Sequence, residues 1–125
     1  MNIIDGKIIS RNILEDLKHK LKNMSIIPKL VIIQVGDNQA SNVYVRNKLK
    51  LSNEVGINTV IEKLPENTSQ DDLIKLLNKL NNDKDINGIL VQLPLPKHID
   101  ESLILESINP NKDVDCFNSK NVGKL

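Results

Sequence analysis

Tyr44 and Lys48 are the first residues of this sequence whose types and spacing could do chemistry. They stand four positions apart in a run of helix-favouring residues, so they share one face of a predicted helix. The ordinary interpretation is an exposed tyrosine beside a solvated lysine. The functional interpretation is a flat aromatic surface beside an amine that exchanges protons once it is desolvated. The spacing alone does not decide between the two.

Two further candidates follow in the second half of the chain. Gln92 is an amide at the end of an otherwise apolar run. If buried, it must bond either a neighbouring functional group or the backbone of a nearby loop, and both remain open. Asp113 and Asp115 are loop carboxylates that in isolation are explained by simple solvation.

Other chemistries have little support. We predict no metal site, because His19, His98 and Cys116 do not follow a metal-ligand spacing. The sequence contains no glycine-rich phosphate loop of either nucleotide-binding type. Ser41 has no histidine at motif spacing to activate it, which argues against a serine hydrolase.

The first candidate pair lies in a predicted strand-loop-helix unit. An apolar run from Leu30 to Val35 predicts a buried strand, and Gly36-Asp37-Asn38 predicts the turn that follows. Ser41 is the predicted N-cap of the next helix, and Gly56 is its predicted end. This helix therefore begins at the carboxyl end of a sheet, where open α/β folds bind ligands.

Strands and helices continue to alternate after this unit. The predicted elements are a strand from about Ile57 to Leu64, a helix capped near Ser69, a strand from Gly88 to Leu93 that Pro94 ends, and a short helix after Asp100. Continuous apolar strands between helices are typical of a sheet covered on both faces. We therefore predict an α/β fold: a three-layer α/β/α domain with a small, mainly parallel sheet.

An additional helix is predicted at the amino end, after a turn at Asp5-Gly6 and as far as about Met24. Its apolar residues recur at a spacing that forms one stripe. The stripe consists of Ile9, Ile13, Leu17 and Leu21, with Leu14 beside them.

The composition limits the classes of function. A chain of 125 residues with 39% apolar residues has room for one soluble domain, which we expect to span residues 1–125. A net charge of +1 and an aromatic content of 2% argue against nucleic-acid binding, and no apolar run is long enough for a membrane span. The single cysteine fits a reducing, cytoplasmic environment.

Three motifs in the right order resemble one enzyme family. The first runs from Val35 to Lys48 with the pattern V-G-x-x-x-A-S-x-x-Y-V-x-x-K, followed by E-V-G-I from Glu54 to Ile57. The second and third are Gly88 to Pro96 and Pro110 to Asp115, with Asn121 and Gly123 beyond them. Together with the opening Asp5-Gly6-Lys7, they resemble the bifunctional methylenetetrahydrofolate dehydrogenase/methenyltetrahydrofolate cyclohydrolase family across essentially the whole chain.

The resemblance implies a reaction and a site. Family members oxidise 5,10-methylenetetrahydrofolate with NADP and hydrolyse the methenyl product to 10-formyltetrahydrofolate. By resemblance, Lys48 is the key catalytic residue and Gln92 orients it. Tyr44 stacks on the pterin ring, and Asp115 binds its amino edge. Leu93 and Pro94 line the folate pocket.

The resemblance also implies features beyond this chain. The family continues into an NADP-binding domain, and its returning C-terminal helix packs on the first domain. We therefore expect no NADP site in residues 1–125, an apolar patch where that helix would pack, and homodimers among full-length members. Cys116 stands where the family usually has glycine, so it is strained if the position requires a positive φ.

Three functional hypotheses remain at this stage. The first is an enzyme domain that carries the folate half of a dehydrogenase/cyclohydrolase. The second is a folate-binding domain without turnover, because the cofactor domain is missing or the Asp115 loop has shifted. The third is a small α/β interaction domain whose resemblance is inherited and unused. Folate binding separates the first two from the third, and turnover separates the first from the second.

Overall fold

The computed structural model describes residues 6–124, so the turn predicted at Asp5 lies outside the described residues. Eight elements alternate between helix and strand over most of this length. They are α1 (Gly6–Lys22), β1 (Lys29–Val35), α2 (Gln39–Val55), β2 (Asn58–Leu64), α3 (Gln70–Asn81), β3 (Gly88–Val91), α4 (Glu101–Glu106) and α5 (Ser119–Val122). None of these helices is long and apolar enough to cross a membrane.

The three strands form one parallel sheet in the order β2-β1-β3. The central strand β1 is buried on both faces, as its continuous apolar sequence requires. Its alternate residues point in opposite directions. Val31, Ile33 and Val35 enter the main core, whereas Ile32 enters a smaller core on the other face.

The two cores explain the layers. Leu73, Leu77 and Leu80 of α3 and Ile104 of α4 pack in the main core, and Val45 of α2 packs against Ile32 and Leu90 in the smaller one. The helix α1 lies against α2. The predicted three-layer α/β/α fold is therefore confirmed, with a sheet that is wholly parallel.

The sequence located several helix ends correctly. Gly56 ends α2 in the left-handed conformation, with φ of 101°. The Ser69 side chain caps α3, and the Asp100 side chain caps α4. The short helix α5 was not predicted, because four residues are too few to show a helical period.

Two predicted boundaries were wrong. The N-cap of α2 is Asn38, whose Oδ1 accepts the backbone N–H of Ser41 at 3.0 Å. Asparagine and serine are about equally good caps, so the sequence favoured the wrong one of two suitable residues. The strand β3 ends at Val91 rather than Leu93, since the chain leaves the sheet ahead of Pro94, which cannot donate to a ladder.

The apolar stripe of α1 faces solvent in the described chain. Ile9, Ile13 and Leu17 are 46%, 55% and 41% exposed, whereas Leu14 and Leu21 are half-buried. Exposed contiguous apolar side chains of this kind mark surfaces that other protein segments cover.

Cys116 adopts a φ of 60°, in the left-handed region that favours glycine. A non-glycine residue held there costs roughly 1–3 kcal/mol, whereas a glycine costs about 0.5–1 kcal/mol in chain entropy. The predicted strain at this position is therefore present in the backbone.

We expect Cys116→Gly to raise the free energy of unfolding by about 1 kcal/mol, because relief of the strain exceeds the entropic cost of glycine. Chemical denaturation of the purified chain measures the difference. Cys116→Ala is the matched control, since it removes the thiol but keeps a Cβ atom at the same φ. Equal stability of the glycine and alanine variants would contradict this explanation.

We also expect the chain to self-associate at high concentration through the α1 stripe. Ile13→Glu places a charge in the stripe and should shift the chain towards monomer in sedimentation velocity. Asn12→Glu adds the same charge to a polar, exposed position of α1 and should leave the distribution unchanged. A clean wild-type monomer at high concentration would contradict the expectation.

Candidate active site

The site lies where α2 passes the carboxyl end of β3. Tyr44 and Lys48 lie one turn apart around the middle of α2, which begins directly after the turn that leaves β1. Tyr44 is 57% exposed, and Lys48 is half-buried. A tyrosine held on a helix with its ring in solvent has its aromatic face available to a planar ligand.

Lys48 and Gln92 meet in a direct hydrogen bond. The Nζ atom of Lys48 donates to Oε1 of Gln92 at 2.9 Å, between residues 44 positions apart in sequence. Gln92 is only 9% exposed, so its amide group needs hydrogen-bond partners within the protein, and Lys48 is one of them. The bond restricts a flexible lysine to one position at the edge of the sheet.

The other end of the Gln92 amide fixes its orientation. Its Nε2 donates to the backbone oxygen of Leu93 at 3.0 Å, which leaves Oε1 as the group that faces Lys48. Both interpretations of Gln92 are therefore present in one side chain: it bonds loop backbone and it holds a functional group.

Ser41 reaches the same backbone oxygen. Its Oγ lies 3.4 Å from the Leu93 oxygen, and the side chain is 2% exposed. Sequence reasoning missed this contact because it assigned Ser41 to the helix cap. Since Ser41 precedes Tyr44 by three residues, the contact joins the same helix to the turn after β3.

Asp115 is the carboxylate of the site. Partial burial raises the pKa of its carboxyl group above the usual 3.8. The charge of Lys48 opposes this rise in pKa, and the charge of Asp113 adds to it. Asp115 therefore lies within electrostatic range of Lys48, as a site that combines both residues requires.

The Asp113 carboxylate is bonded to the residues that follow it. Its Oδ2 accepts the backbone N–H of Asn118 at 2.8 Å and Nδ2 of Asn121 at 3.2 Å. Two neighbouring aspartates therefore have different surroundings: one closes a loop, and the other is presented by it. The sequence offered no signal that separates them.

Leu93 and Pro94 form the turn beside this cluster, and Pro94 also lines an adjacent cavity of about 270 Å³. The cavity lies between that turn and the Gly36-Asp37-Asn38 turn. Its polar groups include the Asp37 and Glu66 carboxylates, and it contains neither Tyr44 nor Lys48. The cluster of Tyr44, Lys48 and Gln92 is therefore distinct from this cavity, and Pro94 is adjacent to both.

The groups that converge are an aromatic face, an amine with a fixed acceptor, a carboxylate and an apolar turn. Such a set can hold a planar heterocycle with N–H donors at its edge and exchange a proton beside it. Within residues 6–124, no group of three or more histidine, cysteine, aspartate or glutamate side chains could hold a metal ion.

Comparisons with known proteins identify the family of the chain. The family model for the tetrahydrofolate dehydrogenase/cyclohydrolase catalytic domain matches residues 4–115. Proteins named bifunctional protein FolD from Campylobacter concisus and Ligilactobacillus salivarius are each 50% identical to the chain, over 128 and 126 residues. The matches cover 100% and 98% of this chain but 45% and 44% of those proteins.

Solved structures show the same fold. The bifunctional enzyme FolD of Campylobacter jejuni superposes with a TM-score of 0.92 at 51% identity, over 95% of this chain and 43% of that chain. FolD of Trypanosoma brucei, solved with NADP cofactor and inhibitor, superposes with a TM-score of 0.90 at 34% identity. The match covers 98% of this chain and 43% of that chain. The chain thus spans less than half the length of these relatives.

The motifs and the fold therefore agree with a family model that matches most of the sequence. The chain belongs to the tetrahydrofolate dehydrogenase/cyclohydrolase family and corresponds to its catalytic domain.

Proposed function

We propose that residues 1–125 form the folate-binding catalytic domain of a methylenetetrahydrofolate dehydrogenase/methenyltetrahydrofolate cyclohydrolase. The observation that carries this proposal is the hydrogen bond of 2.9 Å from Lys48 to Gln92, beside an exposed Tyr44 and the Asp115 carboxylate. Family membership supports the choice of a reduced folate as the ligand.

The binding role falls to Tyr44 and Asp115. The exposed ring of Tyr44 suits stacking against the flat pterin. The Asp115 carboxylate suits the paired N–H donors at the amino edge of the pterin, because a charged acceptor makes the stronger hydrogen bonds. Leu93 and Pro94, which follow Gln92, supply apolar contact to the ligand.

The hydrolytic role falls to Lys48. The 5,10-methenyl group is cationic, so it disfavours the ammonium form of a lysine beside it and favours the amine. The amine takes one proton from a water molecule whose oxygen bonds to the methenyl carbon. The hydroxyl group of this adduct then loses its proton as the C=O bond forms, the bond from the carbon to N5 breaks, and N5 takes up a proton. The product is 10-formyltetrahydrofolate, and one proton is released overall. Gln92 contributes by holding the Nζ atom of Lys48 in one position, from which it can accept the proton of the water.

The described residues do not fit NADP. A pyrophosphate binds best at the amino end of a helix after a glycine-rich turn, where backbone N–H groups and the helix dipole face the anion. At the start of α2 that position holds the Asp37 carboxylate, which forms a salt bridge of 2.6 Å with Lys63. The hydrogen bond from Lys63 also holds the pKa of Asp37 below its usual value. We therefore assign no hydride-transfer step to this chain and attribute NADP binding to a further domain.

A folate-binding domain without turnover is the second candidate. It is favoured by the φ of 60° at Cys116, directly beside Asp115, because strain there can shift the loop that presents the carboxylate.

The expectations of a cytoplasmic location and of homodimers among full-length members remain predictions. The single cysteine supports the cytoplasmic location.

We expect the wild-type chain to bind a reduced-folate analogue, and both Tyr44→Ala and Asp115→Ala to weaken binding about tenfold or more. The aromatic contact and the hydrogen bonds to a charged group are each large enough for such a loss. Fluorescence or calorimetric titration measures the dissociation constants.

Asp85→Ala is the matched control, since Asp85 is an exposed carboxylate that precedes β3 at the opposite edge of the sheet. Equal affinity of the wild type, Tyr44→Ala and Asp115→Ala would contradict the assigned roles. No binding by the wild type would contradict the proposed function.

We expect the chain to hydrolyse 5,10-methenyltetrahydrofolate, and Lys48→Met to lower this rate about 100-fold, because general-base catalysis contributes factors of that size. The absorbance of the methenyl group measures the rate above spontaneous hydrolysis. We also expect no dehydrogenase activity, measured as NADPH formation from 5,10-methylenetetrahydrofolate.

Lys50→Met is the control, because Lys50 is an exposed lysine on another face of α2. Hydrolysis by Lys48→Met at the wild-type rate would remove Lys48 from the mechanism. Binding without hydrolysis by the wild type would favour the second candidate, and NADPH formation would contradict the assignment of NADP to a further domain.

A further inference from the structure

The loop that presents Asp115 is fixed firmly on its amino side. The backbone N–H of Ile89 in β3 donates to the backbone oxygen of Lys112 at 2.8 Å. The Nζ atom of Lys112 donates to the backbone oxygens of Leu80 and Asp83, at 2.9 and 2.7 Å, beyond the end of α3. Residue 112 is therefore attached to both the sheet and a helix end.

The carboxyl side of the loop is fixed as well. Asn118 is 3% exposed, and its Nδ2 donates to the backbone oxygens of Ile108 and Glu106, at 3.0 and 3.2 Å. The Glu106 carboxylate accepts the backbone N–H and the hydroxyl of Ser119, at 2.8 and 2.9 Å. These contacts attach the start of α5 to the end of α4.

The residues between these two anchors have little support of their own. An isolated parallel bridge pairs Asp113 with Ile89 of β3 and supports the start of the stretch. Within the described chain, no hydrogen bond joins residues 115–117 to another segment. Cys116 adds left-handed backbone strain to this stretch, which favours a change in the loop conformation. One group spans the stretch: Asp113, whose Oδ2 accepts from the backbone of Asn118 and from Nδ2 of Asn121.

We propose that Asp113 is a positioning residue that closes the loop from 113 to 118 through its bonds to Asn118 and Asn121, and thereby holds Asp115 in place. The proposal rests on the proposed function, because it concerns the carboxylate assigned to the pterin edge. The Asp113 carboxylate is bonded to Asn118 and Asn121, so Asp113 affects the ligand through the position of Asp115.

Charge provides a second, separable effect. Asp113 and Lys48 are the two charged groups that act on the Asp115 carboxyl, with opposite signs. Asp113→Asn keeps an oxygen that accepts hydrogen bonds but removes the negative charge, whereas Asp113→Ala removes both. The two variants therefore distinguish the geometric role of Asp113 from its charge.

The experiment compares the dissociation constant of a reduced-folate analogue and the pKa of Asp115, the latter from carboxyl-carbon NMR. We expect Asp113→Ala to weaken binding tenfold or more and Asp113→Asn to weaken it about threefold. We also expect Asp113→Asn to lower the pKa of Asp115, since a nearby like charge is lost. Ser119→Ala removes one hydrogen bond on the carboxyl side of the loop and should change neither quantity.

The proposal is overturned if Asp113→Ala binds like the wild type or if Ser119→Ala loses as much affinity. If Asp113→Ala does not fold, Asp113→Asn decides alone: wild-type affinity together with an unshifted pKa of Asp115 overturns the proposal. Failure of the wild type to bind the analogue refutes the proposed function, and the role of Asp113 with it. Wild-type binding with unaffected Asp113 variants refutes the role of Asp113 alone.

Discussion

The hydrogen bond from Lys48 to Gln92 is the interaction on which the site depends, because it joins a helix to the end of a strand 44 positions later. A lysine side chain has many rotamers, and a fixed acceptor selects one of them. The acceptor is itself fixed by the Leu93 backbone oxygen, to which Ser41 also donates. The parallel sheet makes this possible, since it brings the end of β3 beside the start of α2.

The Asp115 carboxylate is held in a different way. It lies on a loop whose residues 115–117 form no hydrogen bond with another described segment, and contacts on either side fix the loop. Partial burial of the Asp115 carboxyl group raises its pKa, and the charge of Lys48 opposes that rise. Strain at Cys116 acts in the same stretch. Functional sites commonly accept such local costs when the surrounding structure is stable enough to maintain them.

Much of the fold was predictable because its signals are local. Gly56, Ser69 and Asp100 end or begin helices through bonds within a few residues of themselves. The apolar run of β1 likewise predicted a strand buried on both faces. The errors arose where two local signals competed, as at Asn38 and Ser41, or where tertiary packing decides. Periodicity predicted the apolar stripe of α1 but not its exposure, and Ile13 in that stripe is 55% exposed in the described chain.

The sequence by itself determined the α/β class, the helix that carries Tyr44 and Lys48, and, through its motifs, the resemblance to a folate enzyme family. These features depend on residue types and short spacings, which a linear chain records directly. Only the tertiary structure decided that Gln92 bonds Lys48, that Ser41 reaches the Leu93 backbone, and that Asp113 bonds Asn118 while the charge of Lys48 acts on Asp115. Adjacent aspartates have the same chemistry in the sequence. They differ only in the partners that distant segments bring to them, and those partners are set by the packing of helices and loops around the sheet.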